Sequence, residues 1–230
     1  EVFISAFSSI DMNREEDFEL LRKAGIRSLF FGVESLDDDN LKRMQKGTRY
    51  KDIKDTIRRA HEAGIFTVGS FIFPIPGETE KSMNTTLERI REMKGIMDSV
   101  LILPGGIFPE TDWGRNPEKY DIRLDKDYLH RMTIYPIKYL VPMRQWPDFP
   151  FSYRLMDKRA SDVGFKDIID ANERFTEKVR KDIGIPGVPD YYFTIANSIK
   201  EDISDFTDKV VQSMINRDYS TFSEMRKKMI

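Results

Sequence analysis

Residues 28–33 (SLFFGV) and 66–73 (FTVGSFIF) carry no charge, and each follows an amphipathic helical segment that ends on a glycine, Gly25 or Gly64. A strand this apolar is buried on both faces, which is the habit of parallel sheets covered by helices. The glycines stand where a helix needs a left-handed residue to stop. Together the two helix–Gly–strand units constrain the chain to an α/β architecture with parallel strands. Residues 2–8 and 99–103 supply two more strand signals, and the units recur about every 26 to 38 residues, the spacing of successive βα units. Right-handed crossovers then lay four strands side by side. Their C-terminal ends, where ligands gather in such sheets, are the place to look for function.

Helices are predicted over 38–45, 50–63 and from Thr79, after an opening helix that Asn13-Arg14-Glu15-Glu16 begins as a capping box. Met83, Leu87, Ile90 and Met93 form one packing stripe on the helix after Thr79. Beyond residue 124 strand signals fade, and 128–141, 165–182, 195–216 and 219–229 read as helices between proline-rich stretches. The expected organisation is an α/β unit over 1–124 and a mostly helical, aromatic-rich region over 125–230.

With 230 residues, 37 basic and 39 acidic, the net charge of −2 gives no electrostatic case for nucleic acid. No run approaches the roughly 18 apolar residues of a membrane span, and no signal peptide opens the chain. A cytoplasmic protein is expected. Arg226-Lys227-Lys228 reads as a solvated helix terminus. The first residue is Glu1 and strand-like sequence follows at once, so the chain is expected to begin inside a longer natural protein. There is no cysteine, which excludes disulfides and thiolate metal sites within these 230 residues. His61 and His130 lie far apart without metal-ligand spacing, and His61 reads as a partly buried histidine at a helix end. No metal ligand set and no catalytic residue is assigned.

Three segments at the strand ends carry candidate chemistry. Glu34 and Ser35 follow an apolar strand directly, where a carboxylate accepts hydrogen bonds from a ribose or an amine; the alternative is that Glu34 caps the next helix. Lys46 comes 12 residues later, with Gly47 to turn the chain, and either meets a ligand carboxylate or points to solvent. In Pro74-Ile75-Pro76-Gly77-Glu78-Thr79, Gly77 either exposes backbone N–H groups to an anion or adenine edge, or forms a plain turn into the helix. No Ser–His–Asp, HExxH, P-loop or Rossmann arrangement competes.

Read together, AGIRSLFFGVES, LKRMQKG and FIFPIPGET over residues 1–113 resemble the second half of a radical S-adenosylmethionine (SAM) domain, in the subgroup with cobalamin-binding and methylthiotransferase-like members. The resemblance implies an α/β fold that is part of a TIM-like (β/α) barrel, about four parallel βα units corresponding to the third to sixth barrel strands. It implies SAM, and a [4Fe–4S] cluster held by a Cys-x3-Cys-x2-Cys loop outside this chain, which together yield a 5′-deoxyadenosyl radical. Cobalamin through an upstream domain is a further implication.

Carried over by position, Glu34 would contact the SAM ribose or methionine part, with Ser35 beside it. Lys46 would face the SAM carboxylate and Ser70 the ribose, while Ile72 and Phe73 pass the adenine and Ile102 and Leu103 flank it. Two departures stand out: Pro74 replaces the usual glycine, and Pro109-Glu110-Thr111 replaces the common Pro-Gly-Thr.

The expected function is therefore a portion of a radical SAM enzyme acting on a small-molecule substrate, inactive alone for want of cluster ligands. The alternatives are a non-catalytic α/β binding module that lacks the cluster, or an unrelated small-molecule enzyme on a barrel-like sheet. If two strands are missing, the apolar strand at 2–8 has an open edge, and self-association through it is expected.

Overall fold

The computed structural model describes residues 3–10, 15–133, 145–218 and 220–229. The proposed capping box at Asn13, most of the predicted helix 128–141, and the Arg226 side chain lie outside what is described. Four parallel strands form one sheet in the order β1 (Ile4–Ser8), β2 (Ile26–Glu34), β3 (Phe66–Ile72), β4 (Ser99–Leu103), so each strand neighbours its sequence neighbour. The helices between them are α1 (Glu15–Lys23), α2 (Asp38–Arg43), α3 (Tyr50–Glu62) and α4 (Glu80–Glu92). The expected α/β class, four βα units of a parallel sheet followed by a helical C-terminal region, is what the chain adopts.

The two faces of the sheet have different fates. Leu29, Phe31 and Val33 of β2 are buried under the helices, where Phe31 meets Phe18 of α1 at 6.5 Å between ring centroids. Ile53, Ile57 and Ala60 of α3 are fully buried, and Leu87, Ile90 and Met93 line the inner stripe of α4, with half-buried Met83 packed against it. The opposite face carries Ser28, Phe30 and Gly32, and in register with them Phe66, Val68 and Ser70. That second face is the one turned away from α1, α3 and α4.

Past β4 come α5 (Asp112–Arg115), a single 3₁₀ turn (Pro117–Tyr120), β5 (Ile122–Leu124), α6 (Tyr128–Met132) and β6 (Phe151–Tyr153). β5 and β6 pair antiparallel, an element the sequence reading did not contain. Helix α7 (Phe165–Glu177) continues as a π-helix over Lys178–Ile183, so the predicted helix 165–182 is one rod with a change of winding. The predicted helix 195–216 is two helices, α8 (Asp190–Ser198) and α9 (Ile203–Asn216), broken where Lys200 adopts φ 58° and Asp202 caps α9 through Ser204 N–H at 2.8 Å. α10 (Ser220–Met229) ends the chain, and Lys228 pairs there with Glu201 at 2.7 Å.

Helix α8 lies across the lower part of this second face, against β1, β2 and β3. Thr194 shares hydrogen bonds with Ser5 and Ser28, which are themselves 2.7 Å apart, and Phe193 stacks on Phe66 at 4.3 Å. The Ser99 hydroxyl meets the backbone of Val188 at 2.7 Å just before this helix. The floor under the strand beginnings is thereby closed, while the rows nearest the strand C-termini stay open: Ser70 and Ile72 are half-buried and Leu103 is exposed. Among the described residues, no helix is long and apolar enough to cross a membrane.

Candidate functional site

β2 ends in a sharp, unusual turn. Its pairing with β3 slips between Gly32 and Glu34, and Glu34 takes φ 66° while Ser35 N–H closes on Val33 C=O at 2.8 Å. A three-residue turn with a non-glycine at positive φ is rare and strained, and such conformations cluster at functional sites. The turn swings the Glu34 side chain back beside Gly32, where an added Cβ would stand 2.9 Å from Glu34 Oε1 and 3.6 Å from Lys46 Nζ. A side chain at position 32 would push aside the two charged groups that occupy the space over it.

Lys46 is brought there by the end of α2. Asp37 caps the start of that helix by accepting from Asn40 N–H at 2.9 Å, so Glu34 is not the cap. At the other end Gln45 adopts φ 57° and Lys46 N–H bonds Leu41 C=O at 2.9 Å, a Schellman-type stop. The turn expected at Gly47 is made by Gln45; Gly47 has no left-handed φ and open space around it. The Lys46 ammonium then donates to Gly32 C=O at 3.1 Å and lies 3.5 Å from Glu34 Oε1. It does not point freely to solvent. Burial pushes the Glu34 carboxyl above its usual range, and the Lys46 charge and hydrogen bonding pull it partly back.

The other sequence-derived residues fall into two groups. Ser70 stands opposite Gly32 in the β2–β3 register, and Ile72 pairs with Leu103, so these three border the open strand ends with Glu34 and Lys46. Ser35 and Phe73 turn away. The Ser35 hydroxyl is buried, accepts from Asp37 N–H at 3.2 Å and lies 3.5 Å from Thr86. The Phe73 ring is buried and stacks on Phe175 of α7 at 4.0 Å, while its C=O accepts from Asn172 at 2.5 Å.

The loop 74–79 is a brace, and the open-anion-site reading of it does not hold. Gly77 N–H is spent on Arg154 C=O at 2.7 Å, and Pro74 C=O accepts from Tyr153 Oη at 3.0 Å and Gly105 N–H at 3.1 Å. Phe73–Pro74 is a cis peptide bond. Thr79 caps α4, accepting from Ser82 N–H at 3.1 Å. Glu78, read from the sequence only as a residue at the helix N-terminus, is 2% exposed and accepts from Asn40 Nδ2 at 3.0 Å and from Ser82.

Burial raises the Glu78 carboxyl above its usual value of 4.5 despite those donors. The folded state therefore holds this proton to higher pH than the unfolded chain does. Stability from the group is complete below pH 4.5 and is lost as pH rises through the folded-state value. Thermal melts from pH 4 to 8 are expected to show Glu78→Gln gaining on the wild type as pH rises through that window. A difference that is flat with pH would contradict the assignment.

His61 pairs with Asp98 at 3.2 Å at a helix end, in keeping with a structural role. No group of three or more His, Asp or Glu able to hold a metal exists among the described residues, and the chain has no cysteine. A [4Fe–4S] cluster, which needs thiolates, has no donor set here. At the open strand ends a partly desolvated carboxylate and an ammonium lie over Gly32, with Ser70 opposite it in the register, a set of donors and acceptors that suits an amino acid or a ribose.

Comparison with known proteins gives a consistent result. Residues 1–90 match the profile of the Radical SAM superfamily. A Methanocaldococcus jannaschii protein described as a methylthiotransferase is 33% identical over 103 residues, 45% of this chain and 22% of that protein. The heme chaperone HemW of Bacillus subtilis is 31% identical over 98 residues, 40% of this chain and 26% of its own length. The chain thus spans about a quarter or less of these two relatives. Among solved structures, the radical SAM methyltransferase TsrM from Kitasatospora setae, with cobalamin and a [4Fe-4S] cluster bound, matches with a TM-score of 0.43 at 21% identity, over 48% of this chain and 20% of that one.

Proposed function

We propose that this chain, whose residues 1–90 match the Radical SAM superfamily, binds SAM at the C-terminal ends of its four strands and serves, in the whole protein, a radical SAM enzyme. The observation that carries this reading is the Glu34–Lys46 pair, 3.5 Å apart and held over Gly32 by a strained turn. Lys46 is the partner for the SAM carboxylate, and Glu34 for the amino group or ribose. Ser70, facing Gly32 across the register, adds a ribose contact. Ile72 and Leu103 form the apolar wall for adenine, whereas Ile102 pairs with buried Phe71 on the other face, beside Asn172 of α7. Ser35 and Phe73 act through their backbones and packing, fixing the two strand ends.

SAM and a reduced cluster together supply carbon-radical chemistry in this superfamily; the side chains here bind and orient. The cysteines for the cluster are assigned to a segment outside this sequence, and this chain with iron and sulfide is expected to hold no stoichiometric cluster. Cobalamin is proposed on the resemblance alone. Residues 1–124 are assigned to the partial barrel and 125–230 to its extension. The small-molecule substrate is taken to enter from the same open end.

Cross-linking tests the ligand assignment. Ultraviolet irradiation of the whole, cluster-containing protein with labelled SAM, followed by peptide mapping, is expected to place label within 26–46 and 66–77. Label confined to 125–230 would overturn the reading.

The outer edge of β1 is assigned as the joining edge for the remaining barrel strands. In this chain alone it is expected to pair with a second copy, since β1 lies at the end of the sheet with Ile4 38% and Phe7 82% exposed. Light scattering checks this: species larger than one chain are expected, and a monomer at every concentration would remove the proposal.

A further inference from the structure

We propose that Glu78 is a positioning residue for the Lys46–Glu34 pair, acting through α2. The proposal rests on the reading of that pair as the SAM site and adds the part that aims it. Helix α2 has only six residues, too few to be stable by its own hydrogen bonds, so its place must be set from outside. Loop 76–78 sets it with three contacts. Asn40 Nδ2 donates to Glu78 Oε1 at 3.0 Å, and Arg43 Nη1 donates to Pro76 C=O at 3.0 Å and Gly77 C=O at 2.6 Å.

The loop is itself anchored. Ser82 of α4 donates to the same Glu78 oxygen, Met156 N–H bonds Glu78 C=O at 2.7 Å, and Gly77 N–H bonds Arg154 C=O. The approach is so close that a Cβ on Gly77 would stand 2.3 Å from Arg43 Nη1. Lys46 follows Arg43 by three residues, on the turn that Gln45 makes, and its ammonium reaches Gly32 C=O. A buried carboxyl on the loop after β3 thereby controls where a lysine on the far end of α2 meets the end of β2. Nothing in the local sequence connects positions 78 and 46, yet the contacts form one continuous path between them.

A double-mutant cycle tests the proposal. Glu78→Ala, Arg43→Ala and Glu78→Gln are made alone and in a Lys46→Ala background, and SAM dissociation constants are measured in the whole, cluster-containing protein. Glu78→Ala and Arg43→Ala are each expected to weaken SAM binding about tenfold, and to have no further effect once Lys46 is gone. Glu78→Gln keeps an acceptor for Asn40 and is expected to bind like the wild type. Arg43 is only half-buried, so its variant remains informative if Glu78→Ala fails to fold.

A ligand-free readout runs beside it. The Glu34 carboxyl, followed by carbon NMR, is expected to titrate higher in Glu78→Ala and Arg43→Ala than in the wild type, because the Lys46 charge has moved away. Additive losses in the cycle, or a Glu34 titration unmoved by either variant, would overturn the proposal. If Lys46→Ala alone leaves SAM affinity unchanged while the Glu34 titration still shifts, the SAM reading fails and the positioning of the pair stands.

Discussion

Phe175→Ala is expected to destabilise the folded chain by about 3–5 kcal/mol, the cost of emptying a fully enclosed aromatic site. Phe175 has no exposed surface, and its ring stacks on Phe73 at 4.0 Å with 16° between planes. One residue of that stack comes from the loop after β3 and the other from α7, 102 positions apart in sequence, so the substitution opens a void where the helical region meets the sheet. Asn172, one turn earlier on α7, donates to Phe73 C=O at 2.5 Å and limits how far the walls can collapse. Against a typical total of roughly 5–15 kcal/mol for a domain, this is a large fraction. Urea unfolding at constant m-value measures it. A loss below about 1 kcal/mol would mean that α7 is not part of the core that supports the site. Because Phe73 N–H also bonds Leu103 C=O at 2.8 Å, the same void should loosen the Ile72–Leu103 wall.

The sheet was legible in the sequence because its central strands are apolar runs, each preceded by a helix that stops at Gly25 or Gly64, both of which take positive φ as expected. β4 was read to its ends at Ser99 and Leu103. β5 and β6 were not legible: each has three residues, too short for alternation to show, and 26 residues separate their ends. The break between α8 and α9 has neither glycine nor proline; Lys200 makes the turn at φ 58°, and only Asp202 as a cap marks it.

At the site, sequence order pointed to the ends of β2 and β3 but could not reveal which way side chains face. Whether Phe73 lines the cleft or the core depends on Phe175, and whether Gly77 N–H is open depends on Arg154. Long-range partners of this kind leave no mark in local spacing. Glu78 escaped notice for the same reason, since its donor Asn40 lies 38 positions away.

Glu34→Ala and Lys46→Ala are each expected to weaken SAM binding by about 1–3 kcal/mol, or roughly five- to 150-fold, as one charge-assisted hydrogen bond is lost. Thermal stability should barely change. The Lys46 side chain is 37% exposed and makes one backbone hydrogen bond, and the Glu34 carboxylate is partly desolvated with only Lys46 to offset that burial. A pair this open to solvent contributes at most about 1 kcal/mol to stability, so losing either partner costs the fold little. The combination of weakened ligand and unchanged fold is what separates a binding pair from a structural one. Calorimetric titration of SAM into the whole, cluster-containing protein, wild type against Lys46→Ala, is the most direct measurement: the account predicts a weaker affinity with the same melting temperature, and an unchanged affinity would contradict it.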